Sequence, residues 1–107
     1  MLKIQSEIKQ GILFIRLSGI LSWRSAFKLE KYIKIVKNYK VKFLILNCLN
    51  LKNIDEMGIL KLVKLDRMIR DNKGQILMCE VPLELQLNKL NLMILEDEKS
   101  AVKMINI

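Results

Sequence analysis

The residues with the clearest chemical potential stand together between Asn53 and Leu60, in the segment Asn-Ile-Asp-Glu-Met-Gly-Ile-Leu. Asp55 precedes a helical pattern, and its carboxylate can accept hydrogen bonds from the unpaired N–H groups of the first turn. Glu56 adds a second acid where acids are favoured, whereas Gly58 is a poor helix former. A glycine so early in a helix indicates that the backbone approaches another element closely. The segment therefore predicts a well-capped helix start.

Catalytic chemistry has few candidate residues elsewhere. The chain contains no histidine and no threonine, which excludes Ser-His-Asp and Cys-His arrangements and removes the commonest zinc ligand. The eleven acidic residues show no convincing acid/base pair by their spacing, and no phosphate-loop glycine pattern is present. We expect no enzyme activity, no bound metal and no cofactor.

The two cysteines, Cys48 and Cys79, are too few and too far apart for a disulfide framework or a CxxC metal motif. Buried free thiols are the favoured interpretation. A redox pair is the alternative, since both residues are expected near the ends of neighbouring strands, although a reducing cytoplasm disfavours it.

Size and hydropathy predict one cytoplasmic domain over residues 1–107. About half of the 107 residues are apolar, which is enough for one buried core. No apolar run approaches the roughly 18 to 20 residues that span a bilayer, and the opening residues do not resemble a secretory signal. We expect no membrane insertion.

The net charge of +8 is compatible with nucleic acid, an anionic membrane surface or an acidic protein partner. The lysines are scattered, however, and no basic run with interleaved aromatic residues marks a nucleic-acid platform. A solvated basic surface is the favoured interpretation. Nucleic-acid binding remains an alternative, and it predicts affinity that falls steeply with salt.

The hydrophobic patterns predict an α/β fold with the order β-β-α-β-α-β-α-β-α. Strands are predicted over 2–8, 12–18, 41–46, 75–79 and 92–95, and helices over 22–38, 56–71, 82–90 and 98–105. The first two strands form an N-terminal hairpin, and the alternation that follows implies a mostly parallel sheet covered by helices. Residues 47–54 are predicted to form a loop. Ser22 is the expected N-cap of the first helix, and Trp23 is expected to cover the core.

The helix predicted over 56–71 has an unusual outer face. Its inner arc, which should contact the sheet, is apolar and contains Ile59, Leu62, Val63, Leu65 and Ile69. The outer arc contains Met57, Lys61, Lys64 and Met68, with Leu60 and Arg67 at its edge. Two methionines and a leucine among basic residues leave apolar surface in water, which favours a docking surface over scattered surface hydrophobics.

The segment from Lys42 to Leu60 resembles the core motif of STAS domains, in which an apolar strand and a polar loop precede Asp-Ser-Ser-Gly-Leu or Asp-Ser-Thr-Gly-Leu. Similar matches flank it. Leu17–Leu21 resembles the Leu-x-Gly-x-Leu before the family's first helix, and Lys73–Met78 resembles its glycine-containing turn into the next strand. Leu87–Met93 resembles the leucine-containing segment before the last strand. The resemblance implies a STAS-like domain.

The resemblance also implies a regulatory role with a missing switch. In anti-sigma factor antagonists of the family, a kinase-type anti-sigma factor phosphorylates the hydroxyl residue before the glycine, and the phosphate blocks docking. Here that position is Met57, preceded by Glu56, and neither accepts a phosphate. The favoured hypothesis is a permanently binding-competent protein; the alternative is that Glu56 partly imitates the phosphorylated state. The sequence leaves open whether Ser18, Ser22, Ser25 or another hydroxyl residue is a replacement phosphosite.

The resulting expectation is a non-enzymatic interaction domain in bacterial transcription regulation, whose partner is an anti-sigma factor or a kinase-like protein. The alternative is a small cytoplasmic STAS subunit of a membrane transporter such as a lipid ABC transporter, contacting its ATPase. Dimerisation is left open by the sequence. The predicted partner-binding residues are Asn53, Asp55, Glu56, Met57, Gly58, Leu60, Lys61, Lys64 and Met68.

Overall fold

The computed structural model describes residues 1–85 and 87–105, which form five strands and three α-helices. The strands are β1 (Leu2–Lys9), β2 (Ile12–Leu21), β3 (Phe43–Ile54), β4 (Gln75–Cys79) and β5 (Met93–Leu95). The helices are α1 (Glu30–Tyr39), α2 (Glu56–Asp71) and α3 (Glu98–Ile105). Short 3₁₀ turns cover Ala26–Leu29, Leu83–Leu85 and Leu87–Leu90.

The strands form one mixed sheet in the order β1-β2-β3-β4-β5. β1 and β2 are an antiparallel hairpin, and β2 to β5 are parallel neighbours. The β2–β3 pairing runs from Ile12 opposite Phe43 to Leu21 opposite Ile54, with two register shifts on the way. The predicted α/β class, the hairpin and the order of strands are confirmed.

Helices cover both faces of the sheet. On one face, the main core contains side chains of β1 to β4 packed with α1 and α2. On the other face, Ala101 of α3 lies in a smaller cluster with Phe14, Ile45 and Leu77. Because β2 and β3 are adjacent and parallel, the segments that follow them lie side by side at the carboxyl ends of these strands.

Strand β3 is twice as long as predicted. Residues 47–54, which contain three asparagines, were expected to form a loop, but β3 continues to Ile54 by pairing with β2. Only Phe43 to Asn47 also pairs with β4. The polar side chains of Asn50, Lys52 and Asn53 are exposed, so they are compatible with a strand here.

Two of the predicted helices differ from the structure. The helix expected over 82–90 is replaced by two 3₁₀ turns, Leu83–Leu85 and Leu87–Leu90, with Gln86 outside the described residues. The first helix begins at Glu30 after a 3₁₀ turn, so Ser22 does not cap it. Ser22 instead starts the turn that precedes this 3₁₀ turn, and its carbonyl oxygen accepts hydrogen bonds from the N–H groups of Ser25 and Ala26 at 3.0 and 2.7 Å.

Candidate protein-docking site

The start of α2 is fixed by the side chain of Asp55. Its Oδ1 accepts a hydrogen bond from the Gly58 N–H at 2.9 Å, and its Oδ2 accepts one from the Trp23 N–H, also at 2.9 Å. The Asp55 N–H donates to the carbonyl oxygen of Leu21 at 3.1 Å. The predicted cap is confirmed. Asp55 also joins the loop after β2 to the helix after β3.

These hydrogen bonds determine the charge of Asp55. The backbone N–H groups of Gly58 and then Trp23 stabilise the carboxylate and lower the pKa of Asp55 below its ordinary value. Asp55 is therefore ionised at neutral pH and carries its negative charge at the positive end of the α2 dipole. Each of its oxygens accepts a hydrogen bond from the backbone, which suits a structural role better than proton transfer.

Gly58 is buried because α2 begins in close contact with the ends of β2 and β3. A Cβ atom at this position would lie 2.6 Å from the Leu21 carbonyl oxygen and 2.8 Å from Cγ1 of Ile54. The predicted close backbone approach is confirmed. Gly58 thus allows α2 to begin in contact with the ends of β2 and β3, and it offers no side chain to a partner.

The exposed part of the site contains Met57 and Leu60, whose exposed fractions are 46% and 58%. Glu56 and Lys64 are exposed beside them, and Arg67 is exposed on the next turn. Asn53 is exposed at the end of β3, where its Oδ1 accepts a hydrogen bond from the Ile54 N–H. We call Asn53, Glu56, Met57, Leu60 and Lys64 the α2 surface.

Lys61 and Met68 lie at the α1 side of α2 and not on the α2 surface. Lys61 donates to the Glu30 carboxylate of α1 and is only partly exposed. Met68 is half-buried and packs against the main core. Lys64 reaches the same carboxylate at 4.0 Å. The hydrogen bond from Lys61 lowers the pKa of Glu30, so this ion pair fastens α2 to α1.

Trp23 adds a feature that the sequence interpretation missed. The prediction that it covers the core is wrong, because 66% of the side chain is exposed. The guanidinium of Arg24 stacks on its ring with 4.9 Å between the Arg24 Cζ and the ring centroid. The sequence did contain a signal for this proximity. Trp23 and Asp55 each follow a strand, and strands that pair in parallel place the residues that follow them at the same end of the sheet.

A polar network lies on the opposite sheet face. Arg16 donates from Nε and Nη2 to the two carboxylate oxygens of Glu98, at 2.7 and 2.8 Å. The buried Asn47 donates from Nδ2 to carboxylate oxygens of Glu80 and Glu98 at 2.7 and 2.8 Å. The Arg16 hydrogen bond lowers the pKa of Glu98. These contacts fasten the first turn of α3 to the sheet.

Both cysteines are buried and free, as predicted. Burial raises the pKa of Cys48 to about 12, and burial together with nearby carboxylates raises that of Cys79 to about 12. Both thiols therefore stay protonated at neutral pH, which disfavours the thiolate chemistry of a redox pair.

Within residues 1–85 and 87–105, no group of three or more Cys, Asp or Glu side chains is placed to hold a metal ion. No α-helix in these ranges is long and apolar enough to cross a membrane. The α2 surface combines exposed apolar side chains with mixed charges on a rigid helix start. Such an arrangement is suited to binding a macromolecular surface.

Comparison with known proteins identifies a family and related folds. The family model described as STAS domain matches residues 3–99. An anti-sigma factor antagonist from Mycobacterium paratuberculosis superposes with a TM-score of 0.83 at 14% identity, covering 100% of this chain and 96% of that chain. Unphosphorylated anti-sigma factor antagonist SpoIIAA gives a TM-score of 0.80 at 18% identity, covering 97% and 98%. A sulfate transporter family protein from Wolinella succinogenes gives 0.77 at 16% identity, covering 94% and 88%.

Proposed function

The chain belongs to the STAS domain family, and we propose that it is a cytoplasmic, non-enzymatic interaction protein of the anti-sigma factor antagonist kind. Its partner in this proposal is an anti-sigma factor or a kinase-like regulator of transcription. The observation that carries the proposal is the exposure of Met57 and Leu60 beside the capped start of α2. Apolar groups at this rigid position are available to a partner without rearrangement of the fold.

The energetic contribution of these side chains is appreciable. Burying a whole leucine or methionine side chain contributes about 1.5 to 3 kcal/mol. About half of each of Met57 and Leu60 is exposed, so together they can supply roughly 2 kcal/mol of binding free energy, or about a thirtyfold gain in affinity. Exposed Lys64 and Arg67 beside them favour an acidic partner surface.

The proposal includes permanent competence to bind. Met57 stands where the family resemblance places the phosphorylatable residue, and a thioether cannot carry a phosphate. The N–H of Gly58 is already paired with Asp55, and Glu56 carries one exposed charge where a phosphate carries nearly two. Docking is therefore regulated by the amounts of the two proteins and not by phosphorylation at this site.

The test is affinity capture from the native cell followed by titration of the identified partner against purified variants. We expect Met57→Asp to weaken the complex at least about tenfold, because it places a charge in an apolar contact. Ile8→Asp is the matched control, since Ile8 is 66% exposed and lies by the turn between β1 and β2, at the opposite end of β3 from the start of α2. Equal affinities for Met57→Asp and the wild type would refute the proposed surface.

A second variant separates permanent competence from imitation of the phosphorylated state. Glu56→Ser removes the charge and leaves the Asp55 cap intact. We expect its affinity for the captured partner to stay within about threefold of the wild-type value. A large gain in affinity would instead show that Glu56 represses binding, as the alternative hypothesis requires.

The transporter role remains the second candidate because a sulfate transporter family protein shares the fold. In that case a permease or an ATPase would co-purify in place of a regulatory protein. The same variants apply, since the α2 surface would then be the contact with the transporter.

A further inference from the structure

A second apolar surface lies beside the loop that carries Trp23. Met1, Ile20 and Phe27 line a groove of about 520 Å³ between the edge hairpin and the 3₁₀ turn before α1. Arg24 and Lys28 stand at the same groove. Phe27 is 65% exposed, and Met1 and Ile20 are also exposed. We call this feature the Phe27 groove.

The polar groups near the floor of the groove are satisfied within the fold. The Ile20 carbonyl accepts a hydrogen bond from Ser25 Oγ at 2.8 Å, and the Ile20 N–H donates to the Met1 carbonyl at 3.2 Å. The Leu2 carbonyl accepts one from Lys28 Nζ at 2.7 Å. No backbone group named here is left to recognise a polar ligand. The exposed surface that a ligand would cover is therefore apolar.

The two charged side chains that line the groove, Arg24 and Lys28, are both basic. Arg24 is exposed and stacks on Trp23, and Lys28 is half-buried at the groove. Among the residues that the structure describes, neither cation forms an ion pair with a carboxylate, whereas Lys61 and Arg70 do. An occupant with both apolar and acidic side chains would bury the apolar lining and meet both cations.

We propose that the Phe27 groove binds an acidic, amphipathic segment of the protein partner. This inference rests on the proposed function, because it assigns a second contact to the same partner. Apolar side chains of the segment enter the groove, and its carboxylates lie next to Arg24 and Lys28. The hydrogen bond from Trp23 to Asp55 places the groove loop directly beside the start of α2.

The shape of the surface favours a protein segment over an anionic membrane. Exposed aromatic and basic residues also occur on membrane-binding proteins, but such proteins insert a protruding apolar surface. Here the apolar residues line a concavity, which accepts the side chains of a segment.

The test is selection of a random displayed peptide library on the intact protein, followed by fluorescence titration of the selected peptides. We expect peptides enriched in Asp and Glu together with large apolar residues. Phe27→Ser and Arg24→Glu should each weaken their binding about tenfold or more. Tyr39→Ser and Lys37→Glu are the matched controls, because Tyr39 is 78% exposed at the opposite end of α1. Both control variants should bind the selected peptides with the wild-type affinity.

The proposal is overturned if no selected peptide distinguishes Phe27→Ser from the wild type, or if the peptides that do are basic. The proposal is also overturned, and a membrane contact supported, if two results are found together. The wild type binds phosphatidylserine-containing vesicles and Phe27→Ser does not, and no acidic peptide is selected. Titrating the captured partner against Phe27→Ser separates the two proposals. Loss with Met57→Asp but not with Phe27→Ser refutes the groove alone, and loss with neither refutes the α2 surface as well.

Discussion

Replacing Gly58 with alanine tests whether the start of α2 is held as closely against the sheet as the structure requires. The added Cβ would lie 2.6 Å from the Leu21 carbonyl oxygen and 2.8 Å from both Cγ1 of Ile54 and Cγ of Leu21. Reaching an ordinary separation of about 3.5 Å needs a displacement of roughly 0.9 Å at the carbonyl. Leu21 cannot easily move away, since its carbonyl accepts the Asp55 N–H.

Two opposing effects decide how much Gly58→Ala changes the free energy of unfolding. Alanine favours a helix over glycine by about 0.5 to 1 kcal/mol. Overpacking a closely packed site costs typically about 1 to 3 kcal/mol, and the contact with backbone at Gly58 places the cost at the upper end of that range. We therefore expect Gly58→Ala to lower the free energy of unfolding by about 1 to 2 kcal/mol, which corresponds to a fall in Tm of roughly 5 to 10 °C.

Urea unfolding followed by circular dichroism measures the change in stability. The single tryptophan, Trp23, reports on the start of α2 by its fluorescence, because its backbone N–H donates to the Asp55 carboxylate. The control is Arg67→Ala, at an exposed position of the same helix, which should change stability by less than about 0.5 kcal/mol. A Gly58→Ala protein as stable as the wild type, with unchanged tryptophan emission, would refute the close approach.

Two further predictions concern charged residues. Because hydrogen bonds lower the pKa of Asp55, its stabilisation is complete above the ordinary pKa and is lost as the pH falls through the lowered one. Urea midpoints of Asp55→Ala should therefore lie below those of the wild type at neutral pH, with a gap that narrows on acidification; a gap as wide in acid as at neutral pH contradicts the assignment. For the pair that fastens α3, a double-mutant cycle with Arg16→Met and Glu98→Gln should give a coupling of about 1 kcal/mol at neutral pH. Additive effects of the two substitutions would contradict the importance of that pair.

The helix start was predictable because its signals are local. Asp55 directly precedes the apolar period of α2, and the cap needs only the N–H groups of the first turn. The glycine at position 58 likewise indicated a close backbone contact, and the structure identifies the Leu21 carbonyl as its neighbour. Features that depend on neighbours only a few residues away were thus accessible from the sequence.

Other features depend on distant residues and were missed. Residues 47–54 were predicted as a loop because their polar side chains conceal pairing with β2, which lies some thirty residues earlier and includes two register shifts. The predicted inner arc of α2 is confirmed, since Leu62, Leu65 and Ile69 are buried and Ile59 and Val63 are half-buried against the main core. Gly58 is buried on the same helix but was not assigned to that arc, because a glycine carries no apolar signal in the hydrophobic periodicity.

The long pairing of β2 with β3 has a kinetic consequence. The Phe27 groove follows β2 and the α2 surface follows β3, and Asp55 joins them by hydrogen bonds to both sides. In the proposed complex, a partner bound at one surface would meet the other at a high effective concentration. Release would require both contacts to open together, so we expect damage to either one to shorten the residence time of the complex while changing its association rate little.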